Sequence, residues 1–232
     1  MKIAELFYSL QGEGSLVGVP SFFIRTSGCN LRCAWCDTPY TSWQPEVTEI
    51  SLDQIVDEWK AHPARHVVVT GGEPMIAPEI VPLTHRLRAA GAHITIETAG
   101  TVSQPVACDL MSISPKLAHS TPAHSTPANS TQGSWAARHE RLRIQPGVLA
   151  ELMGRYDYQL KFVVQNPGDM DEVRGLVREL GAPSERVILM PEGVTAEALH
   201  ERSLWIAEAC KEEGFRFSPR LHVDLYGNRR GV

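Results

Sequence analysis

The chain has 232 residues, 43% hydrophobic and 21% charged, with a formal net charge of −5. That length predicts one domain over residues 1–232 with ample surface to bury, and 18 Gly with 16 Pro exclude a fibrous or wholly disordered chain. The acidic balance argues against a nucleic-acid partner, no run reaches the roughly 18 apolar residues of a membrane span, and the cytoplasm is the expected compartment.

The N-terminal run MKIAELFYSLQGEG is broken by Glu5, Gln11 and Glu13, so it does not read as a secretory leader. Six short β-rich runs follow, at 21–25, 67–70, 94–97, 110–114, 160–164 and 187–190. Their near-continuous apolar character predicts parallel strands buried on both faces. Helices are predicted after the Ser51 cap (52–62) and over 78–90, 169–180 and 195–213. Gly91, Gly181 and Gly214 stand where helix gives way to strand, in the C′ position that glycine takes cheaply. Alternating units of this kind imply right-handed crossovers. About six strands with fewer helices than a closed eight-fold barrel predict an α/β fold, a partial, open TIM-like barrel.

Residues 117–134, LAHSTPAHSTPANSTQGS, break this rhythm and read as a flexible surface insertion. Its His119 and His124 read as solvated side chains rather than metal ligands. After about residue 219 a C-terminal extension is expected.

Chemistry concentrates in Cys29-Asn-Leu-Arg-Cys33-Ala-Trp-Cys36, which holds three of the five cysteines. In a reducing compartment such clustered thiols bind metal or carry redox work. Three thiolates can hold three irons of a four-iron, four-sulfur cluster and leave the fourth iron open to a small chelating molecule. Zinc sites usually present four protein ligands in paired spacings, and no second pair follows. Cys108 and Cys210 are isolated and read as small buried apolar residues.

Other unusual loops follow predicted strands. Thr70-Gly71-Gly72-Glu73-Pro74 lets backbone approach a ligand closely, and Glu73 can accept from an ammonium; alone, it equally reads as a turn into a helix. Ser114-Pro115-Lys116 and Met190-Pro191-Glu192-Gly193 occupy equivalent positions. In barrel-like folds such strand ends converge on one active face.

The three-cysteine spacing, with Trp35 before the last cysteine, resembles the radical S-adenosylmethionine (radical SAM) superfamily, and TGGEP resembles its GGE motif. The segments Leu10-Gln11-Gly12-Glu13-Gly14, Arg25, Gly28-Cys29-Asn30-Leu31 and Cys36-Asp37-Thr38 narrow the resemblance to the 7-carboxy-7-deazaguanine synthase family. It runs from Lys2 to about Glu192, the 117–134 insertion apart.

The resemblance implies a radical SAM barrel, a 4Fe-4S cluster on Cys29, Cys33 and Cys36, SAM, and Mg²⁺ on Thr38. SAM would be cradled by Trp35, Cys36, Asp37, Gly72, Glu73, Ser114, Pro115, Lys116, Met190, Pro191, Glu192 and Gly193. It further implies a lyase of 7-deazapurine (queuosine) biosynthesis acting on 6-carboxy-5,6,7,8-tetrahydropterin. A 5′-deoxyadenosyl radical would abstract hydrogen, the ring would contract, and ammonia would leave. Substrate contacts would come from Leu10, Gln11, Gly12, Arg25 and Thr70. Without the family, Arg25 reads as a surface residue, Gln11 as a turn amide and Thr38 as a turn or capping residue. Lys116, Lys161 and His222 are candidates for proton handling. A homodimer and an electron donor such as a flavodoxin or ferredoxin are implied as partners.

The chain runs ten residues beyond His222, so no role is assigned to the Val232 carboxylate. The alternative reading is a radical SAM activase that makes a glycyl radical on a partner protein. A cluster-bearing electron carrier or iron sensor ranks last, because it leaves TGGEP and LMPEG unexplained.

Overall fold

The computed structural model describes residues 1–123 and 131–232, the side chains of 131–134 apart. Nine strands form one sheet: β1 (Lys2–Leu10), β2 (Pro20–Thr26), β3 (Thr48–Glu49), β4 (His66–Gly71), β5 (His93–Thr98), β6 (Leu110–Ile113), β7 (Tyr158–Val164), β8 (Val187–Pro191) and β9 (Arg216–Phe217). Their spatial order is β3-β1-β2-β4-β5-β6-β7-β8-β9. From β2 to β9 every pairing is parallel, while β1 runs antiparallel to β2 and β3. The two ends of this order do not pair, so the barrel is open. The six predicted runs are six of the seven parallel strands, β2 and β4 to β8; the two-residue β9 has no counterpart among them.

The helices are α1 (Leu52–Lys60), α2 (Ile80–Ala89), α3 (Thr131–Leu142), α4 (Pro146–Arg155), α5 (Asp169–Leu180), α6 (Ala196–Glu213) and α7 (Leu221–Tyr226). α1 starts at a capping box between Ser51 and Gln54. α5 and α6 end on Gly181 and Gly214 in the left-handed conformation, at φ 61° and 70°. α3, α4 and α7 have no counterpart in the sequence reading. α3 turns Ala136 and His139 inward instead of an apolar stripe, and α7 has only six residues.

Burial on the two faces of the sheet corrects the expectation of strands apolar on both sides. The outer face carries Phe22, Ile24, Val67, Val69, Ile94, Ile96, Met111, Ile113, Leu160, Phe162 and Val164. These pack with the helices into the hydrophobic core. Because strand side chains alternate, the residues between them share the inner face. Arg25 lies beside Thr70, Glu97 beside Ser112, and Ser112 beside Gln159. The inner face is therefore largely polar, and polar groups held inside a protein need partners or a ligand.

The N-terminal edge of the 117–134 segment is packed rather than loose. Leu117 belongs to the core, Ser120 is fully buried, and α3 begins at Thr131. Its centre, residues 124–130 with His124, lies outside the described residues. His119 is half-buried rather than solvated: its ring lies 5.7 Å from that of Trp35, and Nδ1 is 3.2 Å from Asp169 Oδ1.

Candidate active site

A cavity of about 330 Å³ opens against the inner face of the sheet. Leu10, Gln11, Gly12, Arg25, Trp35, Asp37, Thr38, Thr70, Gly72, Ser114, Lys116, Met190 and Glu192 all line it. Of the expected site residues, Cys29, Cys33, Cys36, Glu73, Pro115, Pro191 and Gly193 are not part of this lining.

The cavity is floored from an unexpected side. β1 is antiparallel to β2, with Leu10 opposite Pro20, so it delivers the LQGEG segment to the end where the parallel strands begin. From there Gln11 Nε2 donates to Glu97 Oε1 at 3.1 Å, and Ser15 N to Gln159 Oε1 at 2.9 Å. Thr70 Oγ1 donates to the second oxygen of Glu97 at 2.8 Å. Glu13 is ion-paired with Lys161 from β7. Burial alone would raise the Glu13 pKa, but Lys161 and then Arg220 override it and hold the carboxylate well below its usual range.

Arg25 spends Nε on Glu5 Oε1 at 2.6 Å, and Tyr40 OH donates to the same oxygen at 2.7 Å. The guanidinium carbon sits 5.5 Å from the centre of the Phe7 ring. Thr38 precedes the 3-10 turn Pro39–Thr41 without making a side-chain cap; its Oγ1 accepts from Thr41 Oγ1 at 3.4 Å and lies 3.9 Å from Cys36 Sγ. Glu73 lies just behind the lining and is 1% exposed. Its carboxylate accepts from Thr98 Oγ1, Ala99 N and Met75 N. The expected ammonium acceptor thus also ties its loop to the end of β5, and burial raises its pKa against those bonds.

The cysteine loop abuts this loop directly. A Cβ on Gly72 would lie 2.2 Å from Gly28 O and 2.8 Å from Cys29 Cβ, so only glycine allows the approach. Glu73 N donates to Gly28 O at 2.9 Å. Burial pushes the Cys29 and Cys33 thiols up to about 12. Cys29 Sγ accepts from Leu31 N at 3.4 Å, and Cys36 Sγ is 3.3 Å from Ser42 Oγ. Among the described residues, no three His, Cys, Asp or Glu side chains surround a point fit for a single ion. Three soft sulfur donors in one loop are a donor set that suits iron–sulfur ligation, one thiolate to each of three irons.

A profile described as the Radical SAM superfamily matches residues 23–118. The 7-carboxy-7-deazaguanine synthase of Halobacterium salinarum is 48% identical, over 98% of this chain and 91% of its own length. The chain belongs to the 7-carboxy-7-deazaguanine synthase family. The synthase of Rhodopirellula baltica is 43% identical, over 99% of this chain and 88% of its own. The crystal structure of QueE from Escherichia coli superposes with a TM-score of 0.64 at 27% identity, covering 95% of this chain and 94% of that one.

In this family member the chain beyond residue 219 is no mere extension. Arg220 donates to Glu13 Oε1 at 3.1 Å and Gly193 O at 2.6 Å, and it pairs with Asp37. One guanidinium thereby ties together the LQGEG, CDT and LMPEG loops. Burial and Arg220 hold His222 below the usual histidine range, although Glu13 opposes them. Residues 228–232 fold back to line the cavity, including Val232, to which the sequence alone assigns no role. Arg230 rests over the Tyr40 ring at 3.8 Å.

Sequence reasoning missed Glu97 and Arg220 and left Glu13 and Lys161 without their pairing. Glu97, Ser112 and Lys161 did carry a signal, since each is a polar residue at an alternate position within an apolar strand. Arg220 carried none.

Proposed function

We propose that this radical SAM synthase converts 6-carboxy-5,6,7,8-tetrahydropterin to 7-carboxy-7-deazaguanine with loss of ammonia. The observation that carries the reading is a polar inner face, closed below by LQGEG, lying beside a three-cysteine loop that touches the TGGEP backbone. Cys29, Cys33 and Cys36 would hold a 4Fe-4S cluster, with SAM cradled by Trp35, Cys36, Asp37, Gly72, Glu73, Ser114–Lys116 and Met190–Gly193. When bound, that pair supplies the 5′-deoxyadenosyl radical that begins the reaction.

The chain's own residues bind and orient the pterin. Gln11, Thr70 and Glu97 form one line of donors and acceptors suited to a pyrimidine edge. Arg25, its plane set by Glu5 and Phe7, offers its remaining amino groups to the substrate carboxylate. Leu10 and Gly12 complete that wall. The Thr38 hydroxyl lines the cavity and fits an oxygen-loving Mg²⁺ that takes its other ligands from substrate and water. Lys116, Lys161 and His222 line the cavity and can move the protons that the departure of ammonia requires. A cytoplasmic homodimer reduced by a flavodoxin or ferredoxin completes the reading. Among the described residues no helix is long and apolar enough to cross a membrane. Family membership does not favour the activase.

The test is anaerobic reconstitution with iron and sulfide, then SAM, dithionite, Mg²⁺ and the carboxytetrahydropterin. Mass spectrometry is expected to find 7-carboxy-7-deazaguanine, with deuterium carried from substrate into SAM, and no product from Cys33→Ala. SAM cleavage without that product would overturn the substrate assignment.

A further inference from the structure

The segment that interrupts the strand–helix rhythm and the helix that follows from it together carry a relay buried against the cysteine loop. His139 on α3 and Ser120, in the turn after β6, are both fully buried. Ser120 Oγ donates to Leu117 O at 2.6 Å. Its single proton is spent there, so it can only accept from His139 Nε2, 2.9 Å away. Nε2 therefore carries the imidazole proton. Nδ1 is left as an acceptor, and it takes the backbone N–H of Arg32 at 3.1 Å. Two residues on, the N–H of Ala34 donates to Ser120 O at 2.8 Å.

Both amides that flank Cys33 are thus held on protein acceptors. The neighbouring amide of Leu31 is used differently, donating to the sulfur of Cys29 at 3.4 Å. This difference matters because hydrogen bonds to ligand and cluster sulfur help set the reduction potential. Each N–H donated to sulfur favours the more negative, reduced state and raises the potential. Cleaving a sulfonium by electron transfer needs the opposite, a strongly reducing centre.

We propose that His139 and Ser120 are positioning residues for electron transfer: by holding the Arg32 and Ala34 amides, they keep two N–H donors off the sulfurs around Cys33 and keep the bound cluster strongly reducing. This rests on the reading that Cys29, Cys33 and Cys36 hold a 4Fe-4S cluster.

Two measurements test it: redox titration of the reconstituted protein followed by EPR, and hydrogen exchange at Arg32 and Ala34 in the iron-free protein. His139→Ala is expected to shift the midpoint positive by at least a tenfold change in the reduction equilibrium, about 59 mV for one electron. Exchange at Arg32 is expected to rise about tenfold or more, in line with loss of its acceptor. His139→Asn, whose Oδ1 can stand near the place of Nδ1, is expected to return both towards wild type. Ser120→Ala is expected to move both the same way by less.

An unchanged midpoint in His139→Ala, or equal shifts in the Ala and Asn variants, overturns the proposal. If His139→Ala does not fold, wild-type exchange and potential in Ser120→Ala overturn it instead. Neither measurement uses the pterin, so a failed substrate assignment leaves the result readable. A wild-type protein that takes up no iron and sulfide overturns both this proposal and the cluster reading.

Discussion

Replacing Arg220 with methionine would leave the partly buried carboxylates of Glu13 and Asp37 without the partner they share. Leaving a partly buried charged acceptor without its partner costs about 1–3 kcal/mol, so urea unfolding of the iron-free Arg220→Met variant should show a loss of that order. Arg220→Lys should recover little, because one ammonium cannot reproduce three directed bonds. Gly72→Ala places a methyl group against backbone and Cys29. It should abolish iron uptake while far-UV circular dichroism stays native; full iron content would remove the close-approach argument. His139 responds to pH. Burial, then Arg143, lowers its pKa to about 4, against about 6.5 in an unfolded chain. A folded value below the unfolded one gives stability that is present above about 6.5 and lost as the pH falls towards about 4. The Tm of the iron-free protein should drop across that window, and His139→Asn should flatten the drop. Equal slopes would exclude His139 as its source.

Among the elements, α5 offers a matched pair of glycines with no heavy atom near the Cβ either would gain. Gly181 caps the helix at φ 61°; alanine there pays the left-handed penalty and should cost about 1 kcal/mol. Gly175 lies inside the same helix. Alanine at that position should stabilise by about 0.5–1 kcal/mol, because less chain entropy is lost on folding. Chemical denaturation should give the two variants opposite signs, and equal signs would contradict the backbone argument. Helix ends of this kind were legible in advance because the signal is local. α3 was not legible: its inward residues include a histidine whose partners lie on another loop.

At the scale of the molecule, the sheet divides the work between its faces. The outer face packs on helices, and the inner face keeps polar residues that a solid core would exclude. Glu97 is central there, accepting from both Gln11 and Thr70. Glu97→Gln gives up charge and puts a donor where one of those acceptors stood. It should lower kcat/KM for the pterin about tenfold or more, with iron content and the EPR spectrum unchanged. A variant that loses its cluster as well would show that Glu97 serves the loop rather than the substrate.

The amino-acid sequence by itself determined six of the seven parallel strands, the glycine joints between helix and strand, the three-cysteine spacing and the family. Each of these is written in adjacent residues, as periodicity, turn chemistry or motif. Only the tertiary structure decided which strand positions face the cavity, that LQGEG enters from the floor, and that the last residues return to the site. It also decided the partners of the buried charges and of the cysteine loop: Arg220 meets Glu13 across 207 residues of chain, and His139 meets Arg32 across 107. Pairings over such distances leave no local pattern, because what selects them is the cost of burying a polar group alone once the sheet has closed around it.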